Sequence, residues 1–109
     1  MGVAVVRYKT KPDRADENQE LIEKVFGELD ARRPAGLRYA SFRLADGVSF
    51  VHVASIETDD GANPLTATPA FSEFLRGIDD RCEEGPLASG ATVVGSYRFW
   101  STVPETHAV

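Results

Sequence analysis

The sequence is poor in the residues that hold metals and form disulfides. It has one cysteine, Cys82, and two histidines, His52 and His107, among 109 residues. One cysteine cannot close an internal disulfide, and a zinc site needs more cysteine and histidine ligands than this chain supplies. A glycine-rich phosphate loop and a Ser-x-Gly elbow are also missing. We therefore expect no metal and no cofactor.

The chain also lacks concentrated positive charge and long apolar runs. Its formal net charge is −5, and its longest basic run is the pair Arg32-Arg33. Nucleic acids and anionic membranes attract basic patches, so we expect neither as a partner. No apolar stretch is long enough to cross a bilayer, and the N-terminus (MGVAVVRYK) does not resemble a signal peptide. These absences predict a soluble cytoplasmic protein.

Enough apolar residues are present for one hydrophobic core. Apolar residues make up 42% of the chain and charged residues 27%, a balance that is typical of a folded domain and not of a disordered one. The length suits one domain. We predict a single domain over residues 1–100 and a polar tail over residues 101–109.

The central stretch, residues 37–57, consists of two extended runs joined by Asp46-Gly47. This dipeptide strongly indicates a tight β-hairpin. The resulting register places His52 opposite Ser41 and separates two faces. One face is chemically varied and carries Leu37, Tyr39, Ser41, Arg43, Phe50, His52, Ala54 and Ile56. The other face is nearly all apolar in its middle, with Ala40, Phe42, Leu44, Val51 and Val53.

The flanking segments predict two further strands and two helices. Residues 3–9 (VAVVRYK) are rich in β-branched and aromatic residues and predict the first strand. A helix follows Pro12-Asp13, and a second begins at Thr68-Pro69 and ends by Gly85-Pro86. Cys82 falls on the apolar stripe of that second helix. Residues 91–100 (ATVVGSYRFW) predict the last strand.

The order strand, helix, strand, strand, helix, strand predicts an α+β, ferredoxin-like βαββαβ fold. Its four-stranded antiparallel sheet carries both helices on one face. Helices normally cover the plainer side of such a sheet, so we expect the chemically varied face to be open. A second copy of the chain is the expected cover, which gives a homodimeric α/β barrel with a cavity for a ligand.

Three segments resemble the dimeric α/β-barrel superfamily, and within it the antibiotic-biosynthesis-monooxygenase-like families. They are the Pro12-Asp13 turn, SFVHVASIE in the third strand and ATPAFSEFLRGI in the second helix. The resemblance covers roughly residues 3–100. It implies a ferredoxin-like protomer that forms a dimer. Some members oxidise polyketide-derived aromatics without metal or flavin, and others degrade haem.

The chain departs from these families at two places. Ala54 and Ile56 stand where many members have an acidic residue and then Trp, and residues 63–66 (NPLT) replace a segment that usually offers His or Trp. The Asn, Trp and His trio of the haem-degrading branch has no counterpart here, so we do not expect haem breakdown.

The varied hairpin face supplies the candidate catalytic residue, His52. An imidazole exchanges protons near neutral pH, a phenol donates to a carbonyl and a guanidinium holds an anionic oxygen. We predict that His52 is the base and that Tyr39 and Arg43 orient a small aromatic or enolic ligand, with Ser41 and Phe50 also in the binding site. The chain would then be a cofactor-independent monooxygenase. Tyr8 is interpreted as a packing residue.

A second hypothesis assigns no catalysis to this face. In it, the protein is a binding or stress-related domain, and the varied face serves dimerisation. That hypothesis predicts that a partner chain covers His52, Tyr39 and Arg43 and leaves no cavity for a ligand.

Overall fold

The computed structural model describes residues 2–99. The strands are β1 (Gly2–Thr10), β2 (Leu37–Arg43), β3 (Ser49–Ile56) and β4 (Cys82–Ala91), and the helices are α1 (Ala15–Arg32), α2 (Pro69–Leu75) and α3 (Ile78–Arg81). A short 3-10 turn, Pro12–Arg14, precedes α1. The predicted tail, with His107, and the predicted strand residue Trp100 lie outside the described residues.

The four strands form one antiparallel sheet in the order β2-β3-β1-β4. The helices pack on this sheet, so the ferredoxin-like prediction is confirmed. None of the helices in residues 2–99 is long and apolar enough to cross a membrane.

The hairpin turn between β2 and β3 has the predicted register, with Ser41 opposite His52. Gly47 has a φ of +80° there, a conformation that glycine adopts without strain. The Asp46 carboxylate accepts hydrogen bonds from the backbone N–H of Val48 and from both the N–H and the hydroxyl of Ser49. The hydroxyl and the two backbone donors lower the pKa of Asp46 to about 2. The turn therefore reinforces the register that its sequence predicts.

The helices cover the chemically varied face, which we call the inner face and define by Tyr8, Tyr39, Phe50 and His52. Tyr8, Phe50 and His52 are buried, and Tyr8 and Phe50 belong to the core cluster that includes residues of α1 and α2. The prediction that helices pack on the plain side is therefore wrong. The polar groups of the inner face bond to one another, and buried polar groups that are hydrogen-bonded avoid most of the desolvation cost.

The plain side is the outer face, which carries Val5, Phe42, Val51, Val53 and Leu87. These residues share one side of the sheet because paired residues of antiparallel strands point the same way. Phe42 and Leu87 are exposed there, and Leu87 is 77% exposed.

The last strand and the second helix differ from their predictions. The predicted second helix, from Thr68-Pro69 to Gly85-Pro86, is not one continuous helix. Gly77 has a φ of +76° and separates α2 from the single turn of α3, and β4 begins at Cys82. Cys82 is thus a strand residue, and residues 92–99 follow β4 without forming a strand.

Candidate ligand site

A cavity of about 240 Å³ lies between the inner face of the sheet and the segment containing α2 and α3. Most of its wall is apolar, and the polar exceptions are two tyrosines and a histidine on the sheet and an asparagine and a threonine on the loop before α2. Its lining residues are Ala4, Val6, Tyr8, Tyr39, His52, Ala54, Asn63, Leu65, Thr66, Phe71, Phe74, Leu75, Ile78 and Pro86. A small number of polar groups in an apolar wall is the usual composition of a small-molecule site.

His52 is the most constrained polar group of the cavity wall. It projects from β3 and is only 5% exposed. Its Nε2 lies 2.7 Å from the Tyr8 hydroxyl. Its Nδ1 lies 2.7 Å from the Tyr39 hydroxyl and 2.7 Å from Ser41 Oγ. Both ring nitrogens are therefore occupied by protein hydroxyls, and two of these hydroxyls belong to residues that line the cavity.

Behind Tyr8, a chain of hydrogen bonds runs into helix α1 and on to α3. Asn18 Nδ2 donates to the Tyr8 hydroxyl over 2.9 Å, and Arg81 Nε donates to Asn18 Oδ1 over 3.1 Å. Asn18 and Arg81 are both buried. Arg81 also donates to the backbone carbonyls of Arg76 and Phe74, and its guanidinium lies 5.4 Å from the Phe74 ring centroid. The site is thus anchored by three elements that are distant in sequence.

Burial keeps the polar groups of the site neutral near neutral pH. It lowers the pKa of His52 to about 4, so the imidazole carries no charge. It raises the pKa of Tyr8, although the hydrogen bond from Asn18 acts in the opposite direction. It also raises the pKa of Tyr39. The cavity therefore contains an uncharged imidazole next to two protonated phenols.

Aromatic rings hold the geometry of the site from both sides. Tyr8 stacks on Phe50 with ring centroids 5.5 Å apart, and Tyr39 stacks on Phe26 at 5.0 Å. The His52 ring lies 5.3 Å from the Tyr8 ring and 5.8 Å from the Tyr39 ring. Because stacked rings in a packed core have little freedom, the two hydroxyls are held in place before any ligand arrives.

The structure brings together three of the five predicted site residues. His52 and Tyr39 line the cavity, and Ser41 is bonded to His52. Phe50 supports the ring of Tyr8 and does not line the cavity. Arg43 lies elsewhere, because its guanidinium bonds to Asp16, Gln19 and the carbonyl of Gly47. The roles assigned to these residues remain predictions.

Ser41, Phe50 and Arg43 line a separate, more open groove of about 410 Å³ between α1 and β2. Ser41 therefore lines this groove and bonds to Nδ1 of His52, whereas Tyr8, bonded to Nε2, lines the smaller cavity.

Sequence reasoning missed Tyr8 and Asn18. Tyr8 lies on β1 opposite Phe50 and next to the Val6–His52 pair, so the register between β1 and β3, which the hairpin alone does not predict, places it beside His52. Asn18 had no comparable signal, because its position depends on how α1 crosses the sheet.

Among residues 2–99, no group of three or more His, Cys, Asp and Glu side chains is placed to hold a metal ion.

The fold is that of the antibiotic biosynthesis monooxygenase structures, as the sequence resemblance predicts. One structure described as an antibiotic biosynthesis monooxygenase superposes with a TM-score of 0.70 at 17% identity, over 87% of this chain and 100% of its own. Rv0793 from Mycobacterium tuberculosis gives a TM-score of 0.69 at 16% identity, over 88% and 98%. SnoaB from Streptomyces nogalater, a cofactor-independent oxygenase, gives 0.63 at 16% identity, over 87% and 94%.

No protein-family model matches the chain, and no curated protein sequence matches it. At these identities the likeness to solved structures establishes the fold and leaves the activity to the chemistry of the site.

Proposed function

We propose that the cavity under α2 binds a small aromatic or enolic molecule and that the hydroxyls of Tyr8 and Tyr39 hold its acidic oxygen. One arrangement carries this proposal. Two tyrosines line a mostly apolar cavity, and the hydroxyl of each lies 2.7 Å from a ring nitrogen of the same buried imidazole. A structural role alone does not require both tyrosines to line a cavity.

The size and the wall of the cavity set the class of ligand. Its 240 Å³ is below the roughly 300–1,000 Å³ of sites for drug-sized molecules, so it suits a ligand of one or two rings. Phe71 and Phe74 offer aromatic surface from α2. An apolar ring system with one ionisable O–H therefore matches both the walls and the polar groups.

In the proposed reaction, His52 is the base and Tyr8 is the group that contacts the ligand. The ligand O–H gives its proton to the Tyr8 oxygen as the Tyr8 proton passes to Nε2 of His52 over 2.7 Å. The products are an ionised ligand and an imidazolium. Tyr39 orients the ligand by its hydroxyl. Arg43 has no role in this scheme, because its guanidinium is engaged at the hairpin end.

The ionised ligand can then react with O₂ without a cofactor, because the enolate or phenolate carbon supplies the electron pair for the new C–O bond. The peroxide anion that forms takes the proton back from the imidazolium of His52, which gives a hydroperoxide and restores the neutral imidazole. The fold shared with SnoaB, a cofactor-independent oxygenase, supports this activity. A low pKa makes His52 a weak base, so the scheme favours ligands whose O–H is unusually acidic, as in enols of 1,3-diketones.

Calorimetric titration with 1,3-cyclohexanedione and 2-naphthol tests the binding step. Replacing Tyr39 by Phe removes one hydroxyl and should weaken binding about tenfold, which corresponds to one lost hydrogen bond. Tyr97→Phe is the matched control, because Tyr97 is exposed and does not line the cavity. Equal affinities for the wild type and Tyr39→Phe, or no binding of any acidic O–H compound, would reject the ligand class.

Oxygen uptake with the same compounds tests the chemical step. We expect wild-type protein to consume O₂ and His52→Gln to bind the compound without consuming it, because glutamine keeps a hydrogen-bonding side chain and removes the base. Full uptake by His52→Gln would show that another group accepts the proton.

One observation favours a second candidate, a protein that binds its ligand without converting it. Both nitrogens of His52 are already bonded to protein hydroxyls, an arrangement that also suits a fixed recognition surface. Binding of either compound with no O₂ uptake and with unchanged ligand mass would select this candidate.

We also propose that the protein is a homodimer in which a second copy covers the outer face. Phe42 and Leu87 are exposed at the two edges of that face, with Val51, Val53 and the exposed Arg7 between them. Phe99 approaches the same side, because it lines a small groove with Ala40 and Val53. Apolar surface of this kind on a sheet normally marks an interface.

A further inference from the structure

We propose that Asn18, held by Arg81, fixes the proton of neutral His52 on Nδ1 and leaves Nε2 free to accept a proton. This makes Asn18 and Arg81 positioning residues, since neither lines the cavity. Their proposed role in catalysis rests on the proposed function, whereas the tautomer itself is a property of the unliganded protein.

The first step is the orientation of the Asn18 amide. The oxygen and nitrogen of an amide are told apart by their partners. Arg81 is a donor at every nitrogen and has no acceptor. Its Nε lies 3.1 Å from Asn18, so the amide atom that faces it must be Oδ1. The carbonyls of Phe74 and Arg76 hold the guanidinium in this position.

The second step is the direction of the Tyr8 hydroxyl. With Oδ1 facing Arg81, the Asn18 amino group faces Tyr8 and donates to its oxygen over 2.9 Å. The single proton of the hydroxyl must then point to its other partner, Nε2 of His52, at 2.7 Å. Nε2 is therefore the accepting nitrogen.

The third step is the proton count at His52. A neutral imidazole has one protonated nitrogen, and Nε2 is the acceptor, so Nδ1 carries the proton. Nδ1 has two hydroxyl oxygens within 2.7 Å, those of Tyr39 and Ser41, and can donate to either. In the opposite tautomer, two N–H groups would point at the Tyr8 oxygen. The buried hydroxyl proton of Tyr8 would then have no acceptor among these groups.

This assignment gives the proposed reaction a direction. The lone pair at Nε2 faces the hydroxyl of Tyr8, a residue that lines the cavity, and the Nδ1 proton faces the hydroxyls of Ser41 and Tyr39. A proton taken from a ligand through Tyr8 therefore has a defined acceptor. The other tautomer would present a proton, and no lone pair, on that side.

Nitrogen-15 NMR of protein labelled at histidine measures the tautomer directly. At pH 8, the wild-type spectrum should show a pyrrole-type nitrogen at Nδ1 and a pyridine-type nitrogen at Nε2 of His52. Only two histidines are present, and loss of one signal set in His52→Gln assigns the spectrum. A wild-type protein with the proton on Nε2 would overturn the proposal, whether or not any ligand binds.

Asn18→Asp should reverse the tautomer. An ionised carboxylate only accepts, so one oxygen would pair with Arg81 and the other would take the Tyr8 proton. The Tyr8 oxygen would then accept from His52, and the proton would move to Nε2. Gln19→Glu is the matched control, because it adds the same charge at the next position of α1, and Gln19 takes no part in this chain of hydrogen bonds. An unchanged tautomer in a folded Asn18→Asp would overturn the proposal.

If Asn18→Asp does not fold, Arg81→Lys provides the second variant. Lysine keeps a donor and a positive charge but loses the fork that also holds the two carbonyls. We expect Arg81→Lys to keep the proton on Nδ1, because the ammonium also only donates and therefore still faces Oδ1. A folded Arg81→Lys with the proton on Nε2 would overturn the proposal. These readouts need no ligand, so failure of the proposed function cannot be mistaken for failure of this inference.

Discussion

At the scale of single residues, the molecule buries an imidazole that would be half charged near neutral pH in water. Among residues 2–99, nothing acidic is bonded to His52, and its partners are the hydroxyls of Tyr8, Tyr39 and Ser41. With no carboxylate to stabilise the imidazolium, burial lowers the pKa of His52 from 6.5 to about 4. The protein therefore folds with a neutral histidine and resists its protonation.

This pKa predicts how stability depends on pH. Between pH 6.5 and about 4 the unfolded chain binds a proton at His52 that the folded chain does not. The contribution of His52 to the free energy of unfolding should therefore be at its maximum above pH 6.5. It should fall by up to about 3 kcal/mol as the pH drops towards 4.

Urea denaturation at several pH values checks this, with His52→Gln as the reference protein. Subtracting the two pH profiles isolates His52, because the carboxylates and His107 are common to both chains. Parallel profiles between pH 4 and 6.5 would contradict the prediction.

The residue scale also shows which parts of the site a sequence can predict. Ten residues separate Ser41 from His52 within one hairpin, so the Asp46-Gly47 turn was enough to predict their pairing. Asn18 and Arg81 meet across a sequence separation of 63, and only the packing of helices on the sheet brings them together. Arg43 was placed on the correct face, but its long side chain reaches Asp16 on α1 at the far end of the strand.

At the scale of elements, β4 shows how context overrides intrinsic preference. Residues 91–100 are rich in valine and aromatics, yet the strand that pairs with β1 is Cys82–Ala91 (CEEGPLASGA). Propensity for β-structure reports packing more than backbone preference.

Gly85-Pro86, which predicted a helix end, lies in β4 where the register with β1 shifts between Arg7 and Lys9. An edge strand accepts proline at such an irregularity, because the missing N–H interrupts no central ladder.

Gly27 in α1 and Gly36 in the turn after α1 should respond in opposite ways to replacement by alanine. Gly36 has a φ of +79°, and an added Cβ would lie 2.7 Å from Cγ2 of Thr58. Gly36→Ala should therefore lower the free energy of unfolding by about 1–3 kcal/mol. Gly27 lies inside α1, and an added Cβ would have nothing within 4 Å. Gly27→Ala should raise it by about 0.5–1 kcal/mol.

Urea denaturation of both variants at equal m-values measures these changes. The pair controls for the chemistry of the substitution, since each adds one methyl group. Destabilisation by Gly27→Ala would mean that this face of α1 is closely covered.

At the scale of the whole molecule, each face of the sheet has the environment that composition predicts for the other face. The varied face is buried under the helices, and the plain face is left outside. Composition could not reveal this, because a run of Tyr, Ser and His appears solvent-facing unless its mutual hydrogen bonds are known. The consequence is that one chain supplies the lining of the candidate ligand cavity, and that an apolar surface remains on the other side of the sheet. The second hypothesis expects a partner chain to cover His52, Tyr39 and Arg43, whereas the chain's own helices lie over His52 and Tyr39.

The outer face predicts a dimer that a single charge can dissociate. Light scattering after gel filtration should give twice the chain mass of 11.9 kDa for the wild type. Leu87→Glu should give the monomer, because an interface of standard size buries about 800 Å² per partner, and removing a carboxylate from water costs more than its pairing with Arg7, the cross-strand neighbour of Leu87, returns. Leu75→Glu is the matched control: Leu75 is 46% exposed but lies on α2, on the helix side. A dimer that survives Leu87→Glu, or one that Leu75→Glu dissociates, would place the interface elsewhere. Because one chain supplies the residues that line the cavity, the Leu87→Glu monomer should retain the wild-type tautomer of His52, and a changed tautomer would mean that dimerisation helps to build the site.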